Sequence, residues 1–183
     1  MPLLFLALYS VPNNVDSINY HLTRVVCWLQ NHNVKHYPTF HVQQLYHNVM
    51  SEYILLHVLA LSGHDFFLHL VQFSAMVGSI LGVGLIAQLM GLSYNGQLII
   101  SILQLSLPIG VLEATTTQND YVATFFFIGF VYFGLRFRKT IVWQDALWMS
   151  VCLALGGFTK YPVFSTRFLT VYGLVLKYFD KKA

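Results

Sequence analysis

Three charged side chains in this sequence stand where a group-transfer reaction needs them. Asp16 follows a short apolar run, Asp120 heads a long apolar segment and Lys160 closes another. Transfer from a phosphate leaving group to a hydroxyl requires a carboxylate to take the hydroxyl proton, and a cation or metal to hold the departing phosphate. Simpler roles are open to the same residues. Asp16 and Asp120 are of a type favoured at helix N-caps, and Lys160 can snorkel, its stem on apolar surface and its ammonium in water. Arg24 is a ready headgroup contact. All eight histidines lie between His21 and His69. Their spacing makes no metal motif: His32 and His36 are four apart but flank Asn33, a poor helix former, and neither an HExxH nor a Cys/His pattern occurs. No motif calls for a cofactor, and a divalent metal beside the acidic residues stays open.

The elements that must carry these residues are apolar. Of 183 residues, 56% are hydrophobic, 16% aromatic and only 9% charged, against about 25% charged in an ordinary soluble domain. Such a chain faces lipid over much of its surface, which excludes disorder and a repeat solenoid. Cys27 and Cys152 lie far apart and predict no disulfide. There is no Walker or dinucleotide fingerprint, and no nucleic-acid partner is expected.

Pro2 to Val11 is apolar but about half the roughly 20 residues a crossing needs. It has neither the basic leader nor the cleavage pattern of a signal peptide, and reads as the end of a first span. Asp16 to Asn31 predicts an amphipathic helix with Ile18, Leu22, Val25, Val26 and Leu29 on its apolar stripe and Asp16, Tyr20, Thr23 and Arg24 opposite. Asn31 to His47 is polar and aromatic, with a turn at Tyr37-Pro38-Thr39. Ser51 to Leu61 is helical by pattern, its stripe formed by Val49, Tyr53, Leu56 and Ala60. Such short amphipathic helices lie along a membrane surface. Crossings are then predicted at Phe66 to Met90, Gln97 to Leu112, Tyr121 to Leu135 and Ile141 to Phe158, the last tolerating Asp145 because it sits near an end. A weak fifth, Val163 to Leu176, contains Arg167, which is costly at bilayer depth. Gly78-Ser79, Gly82 and Gly84 predict close helix packing.

Loop charge orients the chain. The link carrying Arg136, Arg138 and Lys139 and the end carrying Lys177, Lys181 and Lys182 are cytoplasmic by the positive-inside rule. Alternate loops then carry net charges of +4 inside and −1 outside, which sum to the formal +3 of the chain. Asp16, the loop from Glu113 to Asp120, and Lys160 therefore share the outer face.

The run Pro12 to Val25 (PNNVDSINYHLTRV), with Trp28-Leu29-Gln30-Asn31 and His36-Tyr37-Pro38-Thr39, resembles the first outer loop of bacterial membrane glycosyltransferases. These belong to the superfamily of protein O-mannosyltransferases and lipid A aminoarabinose transferases. Similar pieces are Glu52-Tyr53, Leu61 to Asp65, Leu70 to Gln72, Gly78-Ser79, Thr115 to Val122 (TTTQNDYV) and Leu155 to Lys160. The resemblance implies sugar transfer from a polyprenyl-phosphate donor to a hydroxyl of a lipid, protein or glycan acceptor, with inversion, on the non-cytoplasmic side. It implies Asp16 as catalytic base, Asp120 as a second catalytic carboxylate that helps organise the site, and Tyr20, His21, Arg24 and Lys160 as substrate contacts. The sequence departs from the family at Val15, where tryptophan is usual, at Thr23 for proline, and at Tyr161 for glycine.

The expectation is thus an all-α, polytopic bundle of a multi-pass protein, in the bacterial inner membrane among its lipids. Residues 1–160 form the N-terminal part of a glycosyltransferase domain: 1–12 a partial first span, 13–65 the outer loop and 66–160 the spanning helices. Residues 161–183 are a divergent tail with a weak span. The short first span and the few crossings also suit a second expectation, a truncated, non-catalytic fragment or partner subunit of such an enzyme.

Overall fold

The computed structural model describes residues 2–12 and 14–165, and every regular element among them is helical. Helix α1 (Pro2–Tyr9) leads into the first loop. A π-helical turn, Ser17–Leu22, runs directly into α2 (Thr23–Gln30). After an irregular stretch come α3 (Gln43–Tyr46) and α4 (Met50–Ser62). Gly63 stops α4 in a left-handed conformation, φ +68°, and its N–H bonds the Leu59 carbonyl, a conformation glycine adopts without a Cβ clash.

The buried stripe of the first loop helix differs from the predicted one. Ser17, His21, Arg24, Val25 and Trp28 are buried, whereas Ile18, Val26 and Leu29 are exposed. The spacing is kept, but it begins one position earlier, a rotation of about 100°. Arg24 turns inward because partners for it exist on other segments, and a pattern of apolar residues cannot register them. On α4 the face shifts likewise: Ser51, Glu52 and Leu55 are buried. Val25, Leu55 and Leu68 form a small core under the loop, with Leu22, Leu56, Val58, Leu59 and Val71 packed around it.

A 3₁₀ turn (Asp65–Phe67) opens α5 (Leu68–Leu89), followed by α6 (Tyr94–Leu105), α7 (Pro108–Glu113), α8 (Asp120–Thr140), α9 (Trp143–Thr159) and the turn α10 (Pro162–Ser165). Among the described residues two stretches are long and apolar enough to cross a membrane: Asp65–Leu89, mean hydropathy 1.9, and Asp120–Thr140, mean hydropathy 1.3. At 1.5 Å per residue they measure roughly 38 and 32 Å, against a hydrocarbon core of about 30 Å. They lie against each other where α5 has no side chain: a Cβ on Gly78 would stand 2.6 Å from the Phe125 ring, and one on Gly82 2.5 Å from Ile128. The small residues of α5 are thus a packing seam, as their spacing predicts.

The predicted crossing Gln97 to Leu112 is broken. Leu107 is extended (ψ 113°) and Pro108 starts a new helix, α7, because the residue before proline is driven out of the helical region. The 12-residue α6 packs beside α5 and buries none of its own residues. Helix α9 runs back along α8 and is 17 residues long. The weak fifth crossing and the tail lie outside the described residues beyond α10.

Helix ends gather at two poles. At one, Lys139 donates to the carbonyl of Leu89. There Arg136 Nε also lies 3.3 Å from Asp145 Oδ1, and Thr140 donates to Asp145 Oδ2 at 3.1 Å. Asp145 is therefore near a helix end, as predicted, yet only 3% exposed, and it is tolerated by pairing rather than by hydration. At the other pole lie the first loop, the start of α8 and the end of α9.

Candidate functional site

The loop between α7 and α8 and the end of α9 meet at this second pole. Asn119 donates to the Thr159 carbonyl at 3.3 Å, which fixes Lys160 beside the first turn of α8. Lys160 Nζ then donates to Asp120 Oδ1 at 2.5 Å. Both side chains are partly open, 39% and 44%, so the pair contributes only about 0–1 kcal/mol to stability. Asp120 is the first residue of α8, not its cap, and its charge sits favourably at the helix N-terminus.

The first loop is tied to the same place. Thr117 N–H donates to Ser17 Oγ at 3.3 Å. Gln118, with its amide nitrogen turned toward the carboxylates, reaches Glu113 Oε2 at 2.8 Å and Asp120 Oδ2 at 3.2 Å, while its oxygen accepts from Asn14 Nδ2 at 2.9 Å. Thr116 Oγ1 adds a bond to Glu113 Oε2 at 3.3 Å. Burial raises the pKa of Glu113, and the nearby charges of Asp120 and Asp16 raise it further, against the opposing pull of Thr116 and Lys160.

Asp16 makes no side-chain cap bond to its helix. The Tyr20 phenol instead lies beside its carboxylate, within reach of a hydrogen bond to it. Burial, the charges of Asp16, Asp120 and Glu52, and that bond push the Tyr20 phenol up to about 12. Tyr20 also stacks on His47, ring centroids 5.1 Å apart, and His47 stacks on Tyr46 at 4.7 Å. Burial lowers the pKa of His47, and the facing His21 and Arg24 charges add to that. An exposed carboxylate, a phenol and a paired ammonium thus lie close enough to act on one another electrostatically, a grouping in which a hydroxyl could lose a proton and a phosphate be met by a cation.

His21 and Arg24 are turned the other way. His21 Nδ1 lies 2.7 Å from Glu52 Oε1, and Arg24 Nη1 3.7 Å from the same oxygen, all three residues buried. Arg24 spends its remaining reach on the carbonyls of His47 at 3.0 Å and Gln43 at 2.8 Å. These two residues hold the loop in shape from within, one helix face away from Tyr20.

The predicted residues therefore divide: Asp16, Tyr20, Asp120 and Lys160 gather at this pole, while His21 and Arg24 are buried within the loop. Glu113, Gln118 and Asn14 join the site without having been singled out by type or spacing. The polar run from Thr115 to Asp120 was the only signal of a functional loop there. Among the described residues no group of three or more His, Cys, Asp or Glu side chains is arranged to hold a metal ion. Comparison with known proteins finds no matching family model, no similar curated protein and no similar solved structure.

Proposed function

We propose that this chain is the N-terminal part of a multi-pass membrane glycosyltransferase. It takes a sugar from a polyprenyl-phosphate donor and passes it to a hydroxyl acceptor at the non-cytoplasmic surface of a bacterial inner membrane. The observation that carries this reading is the Asp120–Lys160 pair, with Asp16 and Tyr20 beside it, at the pole of apolar helices opposite the basic link Arg136–Lys139. Asp16 is the base. Its carboxylate removes the acceptor proton as the new glycosidic bond forms, and the bond between the anomeric carbon and the donor phosphate oxygen breaks. Lys160 meets the phosphate released, and Asp120 aims Lys160.

Proteoliposomes carrying the protein and a labelled polyprenyl-phosphate sugar provide the test. Asp16→Asn should insert normally and transfer at about 1% of the wild-type rate or less, within the 10²–10⁴-fold that general bases contribute. Full activity in that variant would assign the proton to another group. A second reading is a non-catalytic membrane subunit, favoured by α6, none of whose residues is fully buried among the described residues. Absence of transfer by the wild type together with co-purification of a partner would favour it.

A further inference from the structure

Gln118 occupies a position that the proposed chemistry does not use directly. With its nitrogen turned toward the carboxylates, its amide touches both loops and both carboxylates of the second loop: Glu113 Oε2 at 2.8 Å, Asp120 Oδ2 at 3.2 Å and Asn14 Nδ2 at 2.9 Å. Asp120 has two oxygens, and Lys160 takes Oδ1. A second donor on Oδ2 stops the carboxylate from rotating about its last bond, because rotation would sacrifice one of the two hydrogen bonds. The opposite end of the same amide reaches Asn14, whose own Oδ1 accepts the backbone N–H of Asp16 at 2.8 Å. A continuous path of hydrogen bonds therefore runs from Lys160 through Asp120, Gln118 and Asn14 to the backbone of Asp16.

Resting on the glycosyltransferase reading, we propose that Gln118 is a positioning residue that sets the distance between the base Asp16 and the cation Lys160. Glutamine suits this task because a single side chain donates at one end and accepts at the other. A carboxylate there would repel Glu113 and Asp120, and an ammonium would draw Asp120 off Lys160. The path has two arms that separate experimentally. The arm to Asp120 orients the cation, and the arm to Asn14 orients the base.

The test uses the full chain in proteoliposomes and two readouts. One is acylation of Lys160 by an amine-reactive ester, read by mass spectrometry against the exposed Lys35 of the same molecule. The other is transfer from a polyprenyl-phosphate sugar, resolved into kcat and KM. Gln118→Met should raise the Lys160-to-Lys35 acylation ratio about fivefold, the scale of one hydrogen bond lost, and lower kcat with little change in the donor KM. Asn14→Ala should leave the ratio unchanged and still lower kcat. Asp120→Asn raises the ratio by breaking the pair directly. If Asp120→Asn raises it and Gln118→Met does not, Gln118 fails as the clamp while the site reading stands. If Asn14→Ala transfers at the wild-type rate, the arm to Asp16 is refuted. If Asp120→Asn itself leaves Lys160 unaltered, the ion pair falls, and the reading of the site falls with it.

Discussion

Lys160 and Asp120, forty positions apart, are joined by a hydrogen bond of 2.5 Å between the residue that follows α9 and the first residue of α8. Everything proposed for this protein turns on what that contact is for. An ion pair so open to water adds little to stability. Its value lies in where it holds an ammonium, next to the carboxylates of Asp16, Glu113 and Asp120.

Separate substitution of the pair should therefore affect rate and stability unequally. Lys160→Met and Asp120→Asn should each shift the midpoint of thermal unfolding by no more than that of a surface pair, about 1 kcal/mol or less. Each should lower sugar transfer by about 10²-fold or more. Melting curves and transfer rates on the same preparations check this. A large loss of stability with activity retained would make the contact a structural tie.

Glu113 offers a pH test of the site's electrostatics. Its pKa is raised by burial and by the neighbouring carboxylates. Folding therefore favours its protonated form, a contribution fully present below the ordinary glutamate pKa and lost as pH rises through the raised value. Glu113→Gln removes that loss. At neutral pH the variant should melt above the wild type, and the difference should vanish as pH falls below the range of ordinary glutamates. Melts at pH 4, 6 and 8 are the measurement.

Tyr20 supplies the alkaline counterpart. Its phenol, pushed up to about 12, stabilises the fold fully below the ordinary tyrosine value near 10 and loses that contribution as pH rises through about 12. An ultraviolet difference titration of wild type against Tyr20→Phe should show one tyrosine ionising about two pH units late. A titration of that residue at the ordinary value would mean that the phenol is not buried beside the carboxylates of this pole.

The buried network beneath the site should behave in the opposite way to the pair on the surface. Glu52→Ala strips Arg24 and His21 of their shared carboxylate inside the loop. Removing one partner of such a buried pair costs about 3–5 kcal/mol, and proteolysis of the segment between Gln43 and Asn48 should accelerate. Replacing Arg24 and Glu52 together by Met and Leu should cost less than Glu52→Ala alone.

How much of this was legible in the sequence differs from one element to the next. The helical stretches Asp65–Leu89 and Asp120–Thr140 follow from hydropathy and length, and the glycine seam of α5 from spacing. The break at Pro108 was equally visible in principle, since proline penalises the preceding helical residue, but a run of leucines and isoleucines outweighs one proline in a hydropathy window. Arg24 was unreadable for a deeper reason. Amphipathic patterns put charge outside by default, and only the distant Glu52 and the carbonyls of Gln43 and His47 make its burial affordable. Glu113 and Gln118 were hidden because their importance is purely geometric, set by a loop whose path no local rule fixes.

Sidedness tests the central claim most directly. The protein, with its native thiols Cys27 and Cys152 replaced by serine, is reconstituted in one orientation, established by labelling Arg138→Cys with a membrane-impermeant thiol reagent, and the polyprenyl-phosphate sugar donor is confined to one leaflet at a time. Transfer should occur when the donor lies in the leaflet at the Asp16–Asp120–Lys160 pole, away from the Arg138 label. Transfer from donor in the leaflet on the Arg138 side alone would contradict the account.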